Sequence, residues 1–349
     1  SEFVYPLINN FFGNYAFMEP GAKLELVKTI FGQINAQVMN QVLAQAFADE
    51  NSLVVIYSGP EKDGIATPTA QQLLQAIEDV KKSEIAAPVE ETSNEPLMDS
   101  SALKGGQVKK TKTTIYGATE WILSNGVKVV VLPTDHKKDQ ILFSLYKNGG
   151  KSLIPTEDMP SFDDNIYGLF LRSQGVSKFK GTELTKMLAG KVVTVTPTVG
   201  ELYNGISGNS SVKDLETAFQ LLYLEFTEPR FDQEEFDNTI AQLKAVLPNL
   251  ENTPDFALQK RVVKTLYNDD PREEAISMEK VGKASLQAIE NNYRRLFADV
   301  AGATMVIVGD VNLDTLKPLV EKYVGSLPKG KKAPKWADVQ PRLVKGNVV

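Results

Sequence analysis

"TTIYGATEWILSNGVKVVVLPTDHKKDQILFSLYKNGG", Thr113–Gly150, decides the fold. Its first part alternates in character and carries Ile115, Trp121, Ile122 and Leu123. Ser124-Asn125-Gly126 then supplies a turn, because Asn-Gly accepts the positive φ of a tight hairpin. The run Val127–Leu132 is β-branched and apolar and predicts the returning strand. A second run, "DQILFSLYKNGG", predicts another strand that stops on a Gly pair.

Working outward, Asn148–Gly175 ("NGGKSLIPTEDMPSFDDNIYGLFLRSQG") turns on that pair, passes two prolines and reads as a helix. Two further strands are expected at Val192–Thr196 and Leu202–Gly208. In "VKDLETAFQLLYLEFTEP", Leu215, Ala218, Phe219, Leu222 and Phe226 share one helix face. "DQEEFDNTIAQLKAVLPNL" reads as a helix opened by an Asp cap and closed by Pro248. A third helix is expected over Pro254–Leu266 and a fourth in "SLQAIENNYRRLFADV". "ATMVIVGDVN" is a strand, and "LDTLKPLVEKYVGSLP" a last helix. Strands and helices are segregated more than alternated. The expected fold is α+β, with a mixed or mostly antiparallel sheet packed on a helical layer.

Upstream, Lys23–Phe31 has helical spacing, and Asn35 is a candidate cap for a helix through Val38, Met39, Val42, Leu43, Ala46 and Phe47. "NSLVVIYSGP" predicts a short buried strand. Thr67–Ser83 predicts a helix capped by Thr69. These elements bury too little to stand without further sheet partners. The expected organisation is therefore the end of a preceding domain over 1–60, a helix and interdomain linker over 61–111, a complete α+β unit over 112–330, and the start of another linker over 331–349. The linker proper is placed at Glu84–Thr111. The first residue is Ser1, with neither an initiator Met nor a signal-peptide pattern, so the chain reads as a fragment.

The totals exclude several classes of function. The 349 residues are 42% hydrophobic and 23% charged, a globular balance. A net charge of −6 disfavours a non-specific grip on nucleic acid or an anionic membrane. No apolar run has the length of a membrane span. There is no cysteine, which removes thiolate catalysis, Cys-ligated zinc and iron–sulfur clusters. There is one histidine, His136, so no two-histidine zinc site forms within this chain.

Each candidate site has a plainer reading. His136 sits between charged neighbours in "PTDHKKDQ" and is expected to face solvent. Glu157, Asp158, Asp163 and Asp164 precede or open a helix. Acids there satisfy free N–H groups and the helix dipole, and this outweighs a hard-cation site or paired-carboxylate hydrolysis. "GGKS" resembles the end of a phosphate loop, but the required earlier glycine is Leu145. "GISGNSS" and "VGDVN" lack the Gly triplet of dinucleotide sites and are expected to be turns. No Gly-x-Ser-x-Gly elbow is present for a serine nucleophile.

Three segments occur in order: "LSNGVKVVVLPTDHKKDQILFSLYKNGGKS", "DLETAFQLLYLEFTEPRFDQEEFDNTIAQ" and "NNYRRLFADVAGATMVIVGDVNLDTLKPLVEKYVGSLP". Together they resemble the pitrilysin/insulinase family of zinc peptidases, in particular its bacterial four-domain members. "MEPGAKLELVKTIFGQINAQVMNQVLAQAFADENSLVVIYSGP" looks like the end of a preceding domain of that family, and Pro96-Leu97-Met98 suits its interdomain linker. The resemblance implies a helix after the Gly turn that carries His-x-x-Glu-His in catalytic domains, with a distal Glu as third zinc ligand. Here the matching region reads Asp163-Asp164-Asn165-Ile166-Tyr167-Gly168-Leu169-Phe170, and the distal region Phe236-Asp237-Asn238-Thr239-Ile240. Neither holds a histidine, so no catalytic, metal or cofactor residue is assigned.

What the resemblance implies is a non-catalytic third domain. It would form part of the substrate-enclosing chamber of a zinc metalloendopeptidase whose zinc lies elsewhere in the parent. Its partners would be the remaining domains of that protein and a peptide or unfolded protein substrate, with no nucleic acid and no membrane span. A bacterial periplasm or cell envelope is the implied compartment. The alternatives are a structural or assembly subunit derived from the peptidase fold and a peptide-binding module acting alone.

Overall fold

The computed structural model describes residues 4–46, 54–59, 66–84, 95–339 and 343–346. The chain divides into two compact units, Ser1–Pro88 and Val89–Val349.

The first unit contains four described helices: α1 (Val4–Gly13), α2 (Pro20–Gln33), α3 (Ala36–Ala46) and α4 (Ala70–Lys82). Their starts follow from local chemistry. The Glu19 carboxylate accepts from the N–H groups of Gly21 and Ala22, and Asn35 Oδ1 accepts from Val38 N–H at 3.0 Å. Thr69 and Gln72 form a reciprocal capping box at α4. None of these helices has a buried side chain, and Phe11 and Phe12 are each 81% exposed. The strand expected around Leu53–Tyr57 is not formed over the described residues. Residues 54–59 are exposed and form no ladder, because an apolar run becomes a strand only with a neighbour to pair with. The rest of that stretch, like Phe47 and residues 85–94 of the expected linker, lies outside the described residues.

The second unit is built on one seven-stranded mixed sheet. Its strands are β1 (Val108–Thr113), β2 (Thr119–Leu123), β3 (Lys128–Pro133), β4 (Ile141–Asn148), β5 (Val193–Val199), β6 (Tyr203–Ser210) and β7 (Thr304–Gly309). The order across the sheet is β1-β2-β3-β7-β4-β6-β5, and only β3–β7 is parallel. The Asn-Gly hairpin is β2–β3, with Gly126 at φ 95° and Trp121 opposite Val129. The last strand, β7, inserts beside β3, placing Met305 opposite both Val129 and Leu145.

Alternate residues of these strands join one core with the helices α5 (Asp164–Ser173), α7 (Leu215–Thr227), α8 (Gln233–Glu251), α11 (Leu286–Leu296) and α12 (Leu313–Leu319). All five residues assigned to the inner face of α7 are buried. Shorter or more exposed helices complete the unit: α6 (Gly181–Met187), α9 (Pro254–Leu266) and α10 (Met278–Lys283).

Two local expectations are corrected, and two short helices are added. The end of the expected linker, from Val108 to Thr111, belongs to an edge strand, β1, that runs on to Thr113. Its sequence, VKKTKT, carries no apolar alternation because five of its six residues are exposed. Its lysines suit an edge that must not recruit another chain. Pro248 lies inside α8, which runs on to Glu251, so the proline removes one helix hydrogen bond without ending the helix. Finally, α6 and α10 are too short to show a helical period in the sequence.

Candidate functional site

The Gly pair after β4 starts the segment that leads into α5. Gly150 has φ 62°, and a Cβ there would lie 2.1 Å from the Gly200 carbonyl oxygen, so only glycine fits. Two 3₁₀ turns follow, Gly150–Leu153 and Thr156–Phe162. Arg272 ties them down: Nη1 donates to Ile154 O at 2.9 Å and Nη2 to Lys151 O at 2.6 Å. Arg295 Nη2 donates to Leu153 O at 2.8 Å.

The start of α5 is held by ion pairs. Asp163 Oδ1 accepts from Asn165 N–H at 2.9 Å and from Asn165 Nδ2 at 3.0 Å, which caps the helix. Its Oδ2 accepts from Lys280 Nζ at 2.8 Å, and that ammonium, buried, also donates to Glu274 O. Lys151, likewise buried, pairs with Asp164 at 3.0 Å and Glu201 at 3.2 Å. Burial alone pushes the Asp163 carboxyl up, but Lys280 and the Asn165 hydrogen bonds outweigh it and hold it below the usual range. Burial pushes the Lys151 ammonium down, and Asp164 with Glu201 more than reverses this. Glu273 is raised by burial, then by the charges of Glu201 and Asp270. These groups border a polar cleft of about 380 Å³, lined also by Phe256 and Tyr267.

Behind the cleft, α5 and α8 pack through apolar side chains. Ile166, Tyr167 and Phe170 are buried on α5, and Phe236 and Thr239 on α8. The Phe170 and Phe236 rings meet edge to face at 5.8 Å. Asp237 is exposed and accepts from Gln233 Nε2 at 2.8 Å. Tetrahedral zinc needs imidazole, thiolate or carboxylate donors converging on one point. This interface offers phenyl rings, and the cleft beside it already has ammonium groups as its cations. The residues present do not fit zinc. Among the described residues no group of three His, Asp or Glu side chains is placed to hold a metal ion.

The remaining candidates are dispersed. His136 and Glu157 are exposed. Asp158 accepts from Asn292 Nδ2 at 2.7 Å. Of the four acids, only Asp163 and Asp164 reach the cleft, each bound to a different lysine. Sequence reasoning missed Lys151, Arg272 and Lys280. A lysine buried by a distant carboxylate leaves no local pattern. The one available signal was Lys151, placed directly after the obligatory Gly pair.

Residues 283–349 match the family described as Peptidase M16 inactive domain. A zinc protease PQQL-like protein of Arabidopsis thaliana is 26% identical over 308 residues, covering 87% of this chain and 29% of that protein. The crystal structure of the periplasmic protease PqqL from Escherichia coli superposes with a TM-score of 0.59 at 18% identity, over 99% of this chain and 37% of that one. Pitrilysin superposes with a TM-score of 0.50 at 15% identity, over 69% of this chain and 26% of that one. These likenesses bear out the resemblance to the pitrilysin/insulinase family of zinc peptidases read in the sequence. It spans roughly a third of the length of the curated relatives it matches.

Proposed function

We propose that this chain is a non-catalytic part of a zinc-dependent metalloendopeptidase and helps to enclose its peptide substrate. The observation that carries this reading is the α5–α8 interface. By the resemblance, α5 and α8 correspond to the two helices that hold zinc in catalytic domains, and in this chain they pack through Phe170 and Phe236. A helix pair without metal-binding donors between its members suits a wall more than a reaction centre. The proposed order of parts is the end of a preceding domain over 1–60, a helix and linker from 61 up to the start of β1, the non-catalytic unit from Val108 to about 330, and a linker start over 331–349. Zinc would be held by another domain of the parent, and substrate would be a peptide or unfolded protein. The periplasm of a bacterium is the proposed compartment, a reading supported by the PqqL likeness.

The test is hydrolysis by the pure chain. Incubated with zinc and an unstructured fluorogenic peptide, it is expected to cleave no faster than buffer and to retain no stoichiometric zinc after gel filtration. Chelator-sensitive turnover would overturn the reading.

A further inference from the structure

Glu225 has no part in the cleft. It lies on α7 between Leu224 and Phe226, all three buried, and is 7% exposed. Among the described residues its Oε2 has no hydrogen-bond partner and no cation pairs with it. Two titratable side chains face it, Tyr167 from α5 and Tyr293 from α11. The Tyr293 hydroxyl is spent on the Glu225 backbone carbonyl at 2.8 Å, and the Tyr167 hydroxyl is buried without a partner. Aromatic rings complete the surroundings: Tyr293 stacks on Phe297 at 4.3 Å, and Tyr167 lies 5.0 Å from Phe162.

An ionised carboxylate in such a place would forfeit its hydration with no charge to replace it. A neutral carboxyl loses far less. We propose that the Glu225 side chain, with Tyr167 and Tyr293, is a pH-operated latch: protonated, it lets α7 seat against α5 and α11, and its ionisation unseats them. Burial pushes this carboxyl up to about 8, and pushes both phenols well above their ordinary range, with the Glu225 charge adding to the effect. The sign follows from linkage. The unfolded carboxyl ionises near 4.5, so between there and about 8 the folded state holds a proton that the unfolded state has lost. The stability that depends on it is full below that window and falls as pH rises through it. Because α5 begins at the Asp163–Lys280 pair, unseating it would disturb the polar cleft as well.

The test compares the full chain with E225Q between pH 5 and 9. In the wild type, infrared spectra are expected to show a protonated carboxyl at pH 7 that disappears by pH 9, together with a reversible change in tyrosine near-UV circular dichroism. The folding equilibrium constant should fall by up to tenfold per pH unit across the window. E225Q should lack the infrared band and lose this part of the pH dependence. If E225Q fails to fold, E225M, an apolar side chain of similar length, takes its place. A wild-type spectrum without the band at pH 7, or the same pH profile in wild type and variant, overturns the proposal.

Discussion

Single residues at the head of α5 carry charge that no local pattern announced. Asp163 and Asp164 were legible as helix-opening acids, and capping by Asp163 is what that reading required. Their lysines come from far along the chain or from an unremarked position, because ion-pair partners are fixed by tertiary approach and not by spacing. Lys280 and Asp163 are both nearly buried, with side-chain exposures of 6% and 10%. Removing one partner strands the other in a poor solvent, whereas removing both does not. K280M is therefore expected to destabilise the chain by about 3 kcal/mol, and K280M combined with D163N by clearly less. Denaturant unfolding in a double-mutant cycle measures this, and additive single effects would deny the coupling. The Asp163 carboxyl is held low, so its stabilisation is present above the ordinary aspartate value of 3.8 and is lost as pH falls below it. D163N should accordingly flatten the acid limb of the stability profile.

Elements were readable in proportion to their periodicity. The hairpin, β4, α7 and β7 each bury alternate or helically spaced apolar residues, and those patterns stood in the sequence. The edge strand β1 buries almost nothing and so wrote no pattern, while the apolar run ending at Tyr57 had a strand's composition without a ladder. For the site the telling signal was negative, a single histidine far from α5, and the structure adds an α5–α8 contact made by Phe170 and Phe236. If the Phe170–Phe236 contact is the structural substitute for a metal bridge, it must carry stability. F236A leaves a cavity between α5 and α8 and is expected to cost about 3–4 kcal/mol. F236L should recover most of that, because volume is largely restored. A loss below about 1 kcal/mol for F236A, read from urea midpoints at constant m-value, would show that the helices are held by something else.

At the scale of the whole chain, the distribution of burial is uneven in a way that fixes where folding resides. Every buried apolar residue among those described lies between Ala118 and Leu327. The described helices of the first unit bury none. Burial of apolar surface is the main favourable term offsetting chain entropy, so cooperativity must follow the core and not the length of the chain. A polypeptide of residues 95–339 includes β1 and the turn before it, which donate backbone groups to Glu321 and Ser326. It is expected to unfold in a single thermal transition, with a midpoint within about 4 °C of the corresponding transition in the full chain, since losing up to about 1 kcal/mol shifts a domain of this size by no more. Residues 1–88 alone should show helical circular dichroism at most, with no cooperative transition. Differential scanning calorimetry of the three polypeptides separates the cases. A broad, low-enthalpy transition in the 95–339 piece would mean that the first unit supplies part of its core, and the proposed division into a preceding domain and a self-contained wall would have to be abandoned.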